Sequence, residues 1–281
     1  MSEPDNNPTE VDIQATDTVN MSARKKALLL GRILGLASED DYRPSSASIA
    51  ERAQHRQRKQ LSAYQANLEN IFSLALNYTP SDVTGVDLDA DWSHQFFQMA
   101  EQIHNRKMQD LWARILASEI VSPGNFSLRS LSVLKQFTFR EALIIEKALG
   151  MSVKIGADTR YKLLSGYRIN GGVKQYFRKN NQVNIPLSQY GLPYSNILTL
   201  IDTGVLHNSE FETGLLDPKV TLPMQFVHDN FNLQPMSQHL LFTYYRFTTT
   251  GDEICQLIAA KQDNGFTQML KGILQQDFNI S

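Results

Sequence analysis

The sequence predicts a mainly α fold with a small β component: an N-terminal helical module joined to a C-terminal α+β domain of winged-helix-like layout. Three observations predict it. Apolar residues recur at helical spacing through most of residues 23–150. Beyond 150 the composition changes, and no Asp or Glu occurs from Thr159 to Ile201. Near the end, LLFTYYRF alternates like a strand and runs into a helix-opening sequence. The whole chain has 281 residues, 42% of them hydrophobic, which is enough for a real core. Its net charge of −2 gives no global basic field to draw nucleic acid or anionic membrane.

Residues 1–22 are expected to be a disordered acidic tail. They hold Glu3, Asp5, Glu10, Asp12 and Asp17 with no Lys or Arg, so little apolar surface is available to offset the entropy of ordering. The opening MSEPDNNPTE has neither the basic nor the apolar stretch of a secretory signal. No apolar run approaches the roughly 20 residues that a membrane-spanning helix needs. One cysteine, Cys255, excludes an intrachain disulfide framework and fits a reducing, cytoplasmic setting.

A helical module is expected over 23–150. SARKKALLLGRILGLA opens basic, with Arg24, Lys25, Lys26 and Arg32. Leu29, Ile33 and Leu36 then fall at i, i+4, i+7, as do Leu30, Leu34 and Ala37. The expected reading is a short helix docked on the protein's own core, and the alternative is a membrane-surface helix. Glu39, Asp40 and Asp41 follow at once and favour the first. A long helix follows over 47–78, polar in its first half. Leu61, Tyr64, Leu68, Ile71, Phe72, Leu74 and Ala75 carry the packing face of its second half. Its cluster Arg52, Arg56, Arg58, Lys59 reads as a solvated face, with contact to phosphate as the alternative.

Trp92, Phe96, Met99 and Ile103 form one helical stripe, and Met108, Leu111, Trp112 and Ile115 form a second, five residues out of phase. Either one helix buries two faces or the chain breaks near His104–Asn105–Arg106. Pro123–Gly124–Asn125 marks a turn, and Thr138-x-x-Glu141 has the form of a capping box opening a helix to Leu149.

These same residues carry a resemblance. Asp91–Trp92 and then Gln109, Leu111, Trp112, Leu116, Ala117 and Glu119 are followed by Pro123, Gly124, Phe126, Ser127, Arg129 and Leu131. Together they resemble the Q-x-L-W-x-x-x-L-A-x-E … P-G-x-F-S-x-R-x-L pattern of a bacterial domain-of-unknown-function family. The resemblance covers roughly residues 50–150 and implies membership without implying an activity. A looser similarity to abortive-infection alpha-type proteins implies a phage-defence effector as an alternative. Glu119 has the chemistry of a catalytic carboxylate, but pairing or capping inside a helical bundle is the expected role.

Residues 151–281 are expected to form the winged-helix-like domain. Arg160, Lys162, Arg168, Lys174, Arg178 and Lys179 interleave with Tyr161, Tyr167, Tyr176, Phe177, Tyr190 and Tyr194. Cations that meet phosphates and rings on which bases stack make Arg160, Lys162, Arg168, Lys174, Tyr176, Arg178 and Lys179 the candidate nucleic-acid surface. An ordinary hairpin with solvated cations has the same composition. NILTLIDTGVL, 196–206, reads as a helix ending at Gly204, and Thr250-x-x-Glu253 reads as a second capping box.

Established chemistries leave no trace. There is no P-loop, dinucleotide fingerprint, nucleophile elbow or H-E-x-x-H, and no two of the six histidines stand at i, i+4. Asp87-x-Asp89-x-Asp91 opens like an EF-hand loop, but Trp92 stands where the loop needs glycine. Cys255 lies among apolar residues and reads as an inert buried thiol. The expectation is a binding or regulatory protein with no catalytic, cofactor or metal site. Its expected partner is a protein or a second copy of the chain, with nucleic acid also possible. An enzyme built around Glu119, His94 or His104 is the remaining alternative.

Overall fold

The structure is a computed structural model that describes residues 23–38, 43–81, 85, 87–171 and 181–281. The expected acidic tail, 1–22, lies outside the described residues. The chain divides into two compact units, 1–69 and 70–281.

In the first unit, α1 (Ala23–Ile33) has no buried residue. The expectation of a helix docked on its own core is therefore not met within this unit. The helix stops in a Schellman turn: the Gly35 amide donates to the Arg32 carbonyl at 3.0 Å and the Leu36 amide to the Gly31 carbonyl at 2.7 Å. Gly35 supplies the required positive φ of 68°. Next comes α2 (Ile49–Tyr78), opened by a capping box in which the Ser48 amide donates to Glu51 at 2.7 Å and the Glu51 amide to Ser48 Oγ at 3.3 Å. It runs on into the second unit. Asn67, Ile71 and Ala75 bury its packing stripe, while Leu61 and Phe72 face outward, contrary to expectation.

The second unit begins with α3 (Ala90–Ala100) and α4 (Arg106–Val121). The two out-of-phase stripes are two helices. Asn105 caps α4 by accepting from the Lys107 and Met108 amides, and Gln109 Nε2 donates to the Ile103 carbonyl at 2.8 Å, closing the break. Then come α5 (Leu128–Gln136) and α6 (Phe139–Gly150), the latter opened by the expected Thr138–Glu141 box. No helix among the described residues is long and apolar enough to cross a membrane.

The strands are β1 (Val153–Ile155), β2 (Asp158–Ile169), β3 (Gln182–Asn184), β4 (Phe211–Glu212), β5 (Leu222–Gln225), β6 (Asn230–Pro235), β7 (Leu240–Arg246) and β8 (Phe278–Ile280). Between them lie α7 (Tyr194–Asp202), α8 (Thr249–Cys255) and α9 (Asn264–Leu274). They form one antiparallel sheet in the order β4-β7-β2-β1-β5-β6-β8, with β3 also paired to β2. The fold is thus mixed α+β, with more sheet than expected. Pro223 and Pro235 argue against strands at their positions, because proline cannot donate to a ladder. Both nevertheless sit in strands, Pro223 opposite Asn232 and Pro235 opposite Phe278.

One apolar cluster joins α6, α7, α8 and α9 to this sheet, including Ile145, Leu149, Leu163, Leu200, Phe242, Ile254, Phe266 and Phe278. The α8 cap differs from expectation. Thr248 is the cap, its Oγ1 accepting from the Gly251 amide at 2.9 Å, and Thr250 is buried inside the helix. Glu253 is thereby left for another partner.

Candidate functional site

The residues of the L-W … P-G-x-F-S pattern assemble a single support. Glu119, 4% exposed on α4, accepts hydrogen bonds from the amides of Gly124 at 2.5 Å and Phe126 at 3.0 Å. Trp92 Nε1, on α3, donates to the Phe126 carbonyl at 2.7 Å. The 122–127 turn is thus held from both sides, and Ser127 at its end caps α5. Glu253 Oε2, on α8, accepts from the Ser127 amide at 2.7 Å, from Ser127 Oγ at 3.0 Å and from Ser130 Oγ at 2.5 Å. A carboxylate at the start of α5 also complements the helix dipole. Trp92 stacks on Phe96 at 5.0 Å and Phe96 meets Trp112 at 5.2 Å, while Trp112 Nε1 is buried with no partner among the described residues. Asp91, Pro123 and Arg129 are exposed.

This support fixes the angle between α4, α5 and α8, and α6 closes the fourth side of a groove of about 310 Å³. Its floor is apolar: Met108 and Leu111 from α4, Leu134 and Phe137 at the end of α5, Leu143 and Ile145 from α6, and Ile254, Leu257 and Ile258 at and beyond α8. Its rim carries Asn105, Lys107, Asp110, Arg114 and Glu146. Three of these spend their polar atoms locally. Asn105 caps α4, Asp110 pairs with Arg114 at 2.9 Å and accepts from the Tyr78 hydroxyl, and the Arg114 guanidinium lies over the Tyr78 ring at 5.3 Å. Such a groove recognises apolar groups and offers little directional polar chemistry.

A family model described as Protein of unknown function (DUF2806) matches residues 51–271. The chain belongs to this family. The match extends well past the 50–150 region that carried the resemblance and takes in most of the sheet. No curated protein and no solved structure matches the chain, and the similarity to abortive-infection alpha-type proteins finds no support.

In this DUF2806 member Glu119 spends both carboxylate oxygens on backbone amides, and neither it nor His94 nor His104 lines the groove. Cys255 is buried, and burial, with Asp252 adding to it, pushes its thiol well above the ordinary range.

The candidate nucleic-acid residues divide. Lys174, Tyr176, Arg178 and Lys179, with Phe177, lie outside the described residues. The other three, all on β2, are engaged within the protein. Lys162 is buried, donates to Asp158 at 2.7 Å and lies over the Tyr244 ring. Arg168 pairs with Glu212 at 2.6 Å. Arg160 is half-exposed, 3.9 Å from Asp252. Burial pulls the Asp158 carboxyl upward, but hydrogen bonds from Lys162 and the Arg160 amide outweigh it and hold the group below its ordinary value. Tyr167 is buried and donates to Asp277 at 2.8 Å, Tyr190 meets Phe266 edge-on, and Tyr194 is exposed. The groove floor escaped sequence reading, and so did the role of Glu253. That residue reads as a capping residue of its own helix and instead accepts from Ser127 and Ser130. The one local signal was Thr248 three residues before Gly251, which frees Glu253 from capping.

Proposed function

We propose that this protein is a non-enzymatic binding module whose groove between α4, α5, α6 and α8 holds the apolar face of a helix from a partner protein. One observation carries the reading: a floor supplied by four elements is apolar, while Asn105, Asp110 and Arg114 on its rim already have partners. A polar metabolite would find few free groups there, whereas two or three apolar anchors at i, i+3 or i+4, and i+7 would fill it.

A nucleic-acid partner draws less support. Lys162 and Arg168 are committed to Asp158 and Glu212. A winged-helix-like reading of 151–281 keeps only the order α7, β7, α8, and α7 has no Arg or Lys with which to read bases. The lone buried thiol fits a reducing, cytoplasmic setting.

The test is a displayed-peptide selection on the whole protein, counter-selected on Leu143→Glu. Leu143 is 48% exposed at the groove, so the charge should not unfold the chain. Peptides with helical apolar spacing that bind the wild type and lose at least about tenfold with Leu143→Glu support the reading. Enrichment only of peptides indifferent to the substitution would discard it.

A further inference from the structure

We infer that α1 and its Schellman turn form a membrane-surface element that seats on anionic lipid. The helix is built of two faces. In helical projection Leu29, Leu30, Ile33 and Leu34 gather on one side with Lys26 among them, while Arg24, Lys25 and Arg32 gather on the other with Leu28 among them. Within its own unit the apolar side is left bare: Leu29 is 40% exposed, Leu30 58%, Ile33 68% and Leu34 48%, and Leu36 beyond the turn is 63% exposed. An isolated exposed apolar residue needs no explanation, but five neighbouring ones on one helix and its turn form a patch that needs a partner.

Charge selects the partner. Residues 23–38 hold Arg24, Lys25, Lys26 and Arg32 and no acid, so the cations are concentrated on the helix itself although Glu39, Asp40 and Asp41 follow in sequence. The turn brings further cations alongside, because Lys59 Nζ donates to the Arg32 carbonyl at 2.6 Å. Backbone at Arg56 also lies so close to Gly35 that a side chain there would meet it at 3.3 Å. Arg52, Arg56 and Lys59 stand at i, i+4, i+7 on α2 and extend the basic surface. Apolar residues that enter the acyl boundary, flanked by long cations that reach lipid phosphates, are the composition of an interfacial helix. Nucleic acid would reward the cations and leave the leucines wet.

The experiment is co-sedimentation of the full chain with vesicles of phosphatidylcholine, with and without phosphatidylglycerol, alongside light scattering without lipid. Binding should require phosphatidylglycerol. Ile33→Glu should weaken it about tenfold or more, and Lys25→Ala with Arg32→Ala about fivefold for each cation removed. Because no α1 residue is buried, these variants should keep the wild-type melting temperature. Three outcomes overturn the inference. One is no binding, or equal binding to neutral vesicles. Another is binding that survives Ile33→Glu and fails only with the cations removed, which would assign the helix to a polyanion such as nucleic acid. The third is a lipid-free dimer abolished by Ile33→Glu, which would assign the patch to a second copy of the chain.

Discussion

Glu253 accepts the amide hydrogen of Ser127 at 2.7 Å across 126 residues of sequence. The same oxygen accepts from Ser127 Oγ and Ser130 Oγ, so one carboxylate ties α8 to the first turn of α5. Charge-assisted bonds of this kind are stronger than neutral ones, though the site is partly open to water. Glu253→Ala should cost about 1–2 kcal/mol in urea unfolding. Combining Glu253→Gln with Ser130→Ala should show a coupling of about 0.5 kcal/mol or more. Strict additivity would mean that the two side chains do not interact in solution.

Glu119 is the more deeply buried support. Its loss leaves the Gly124 and Phe126 amides without their acceptor. Glu119→Ala should destabilise by about 2–4 kcal/mol, since each buried amide left unsatisfied carries its full desolvation penalty. Glu119→Gln keeps one acceptor oxygen and turns an amino group toward the other amide, so roughly half of that loss is expected. If Glu119 served chemistry instead of the turn, Gln would leave the unfolding midpoint unchanged.

The two tryptophans differ in what their indole nitrogens do. Trp92 Nε1 donates to the Phe126 carbonyl, whereas Trp112 Nε1 is buried without a partner among the described residues. Trp92→Phe therefore loses a buried hydrogen bond as well as volume, while Trp112→Phe loses volume and sheds an unpaired donor. Paired unfolding curves should show Trp92→Phe as the costlier by about 1 kcal/mol. The reverse order would mean that Trp112 has a partner in solution.

What sequence could reveal followed the range of each interaction. The α3–α4 break was legible as one of two readings because a five-residue phase offset is local, and the Thr138–Glu141 box was legible because its two halves lie three residues apart. The pattern through Trp92, Glu119 and Phe126 was legible as a family mark. Its mechanical role was not, because its third support, Glu253, comes from a helix more than a hundred residues later. In β5 and β6, Pro223 and Pro235 masked strands of four and six residues. The groove left no mark at all, because its floor takes two or three residues from each of four elements and none of them reads as unusual alone.

Asp252 gives a pH dependence of known sign. Burial raises its carboxyl above the ordinary value, and attraction to Arg160 and Arg246 only partly opposes this. An acid whose folded pKa is raised binds its proton more readily when folded. Stability from this group is therefore greatest below the unfolded value, near 3.9, and falls as pH rises through the folded value. Asp252→Asn removes the cost of holding the charge and should raise the melting temperature at neutral pH. That advantage should shrink as pH falls toward the ordinary carboxylate range. A variant that melts lower than wild type at neutral pH would show that the contact with Arg160 outweighs burial.

The seating of α8 on the end of α7 yields the strictest test of the packing. A side-chain carbon at Gly251 would stand 2.2 Å from the Val205 carbonyl oxygen, closer than any real contact. That carbonyl cannot retreat freely, because it accepts the Thr248 amide at 2.9 Å, while Thr248 Oγ1 donates to the neighbouring Gly204 carbonyl at 2.6 Å and receives the Gly251 amide. Gly251→Ala must push α8 away from Val205, break one of these bonds, or both, and should cost at least about 1–3 kcal/mol. Displacing α8 also shifts Ile254 at the groove and Glu253 at Ser127, so peptide binding should fall with stability. Gly272, on α9, is the control: a carbon there meets nothing within 4 Å. Replacing that helical glycine by alanine should stabilise by about 0.5–1 kcal/mol. If thermal melts place both variants on the same side of wild type, helix propensity alone governs them, and α8 does not rest on Val205 as closely as the structure has it.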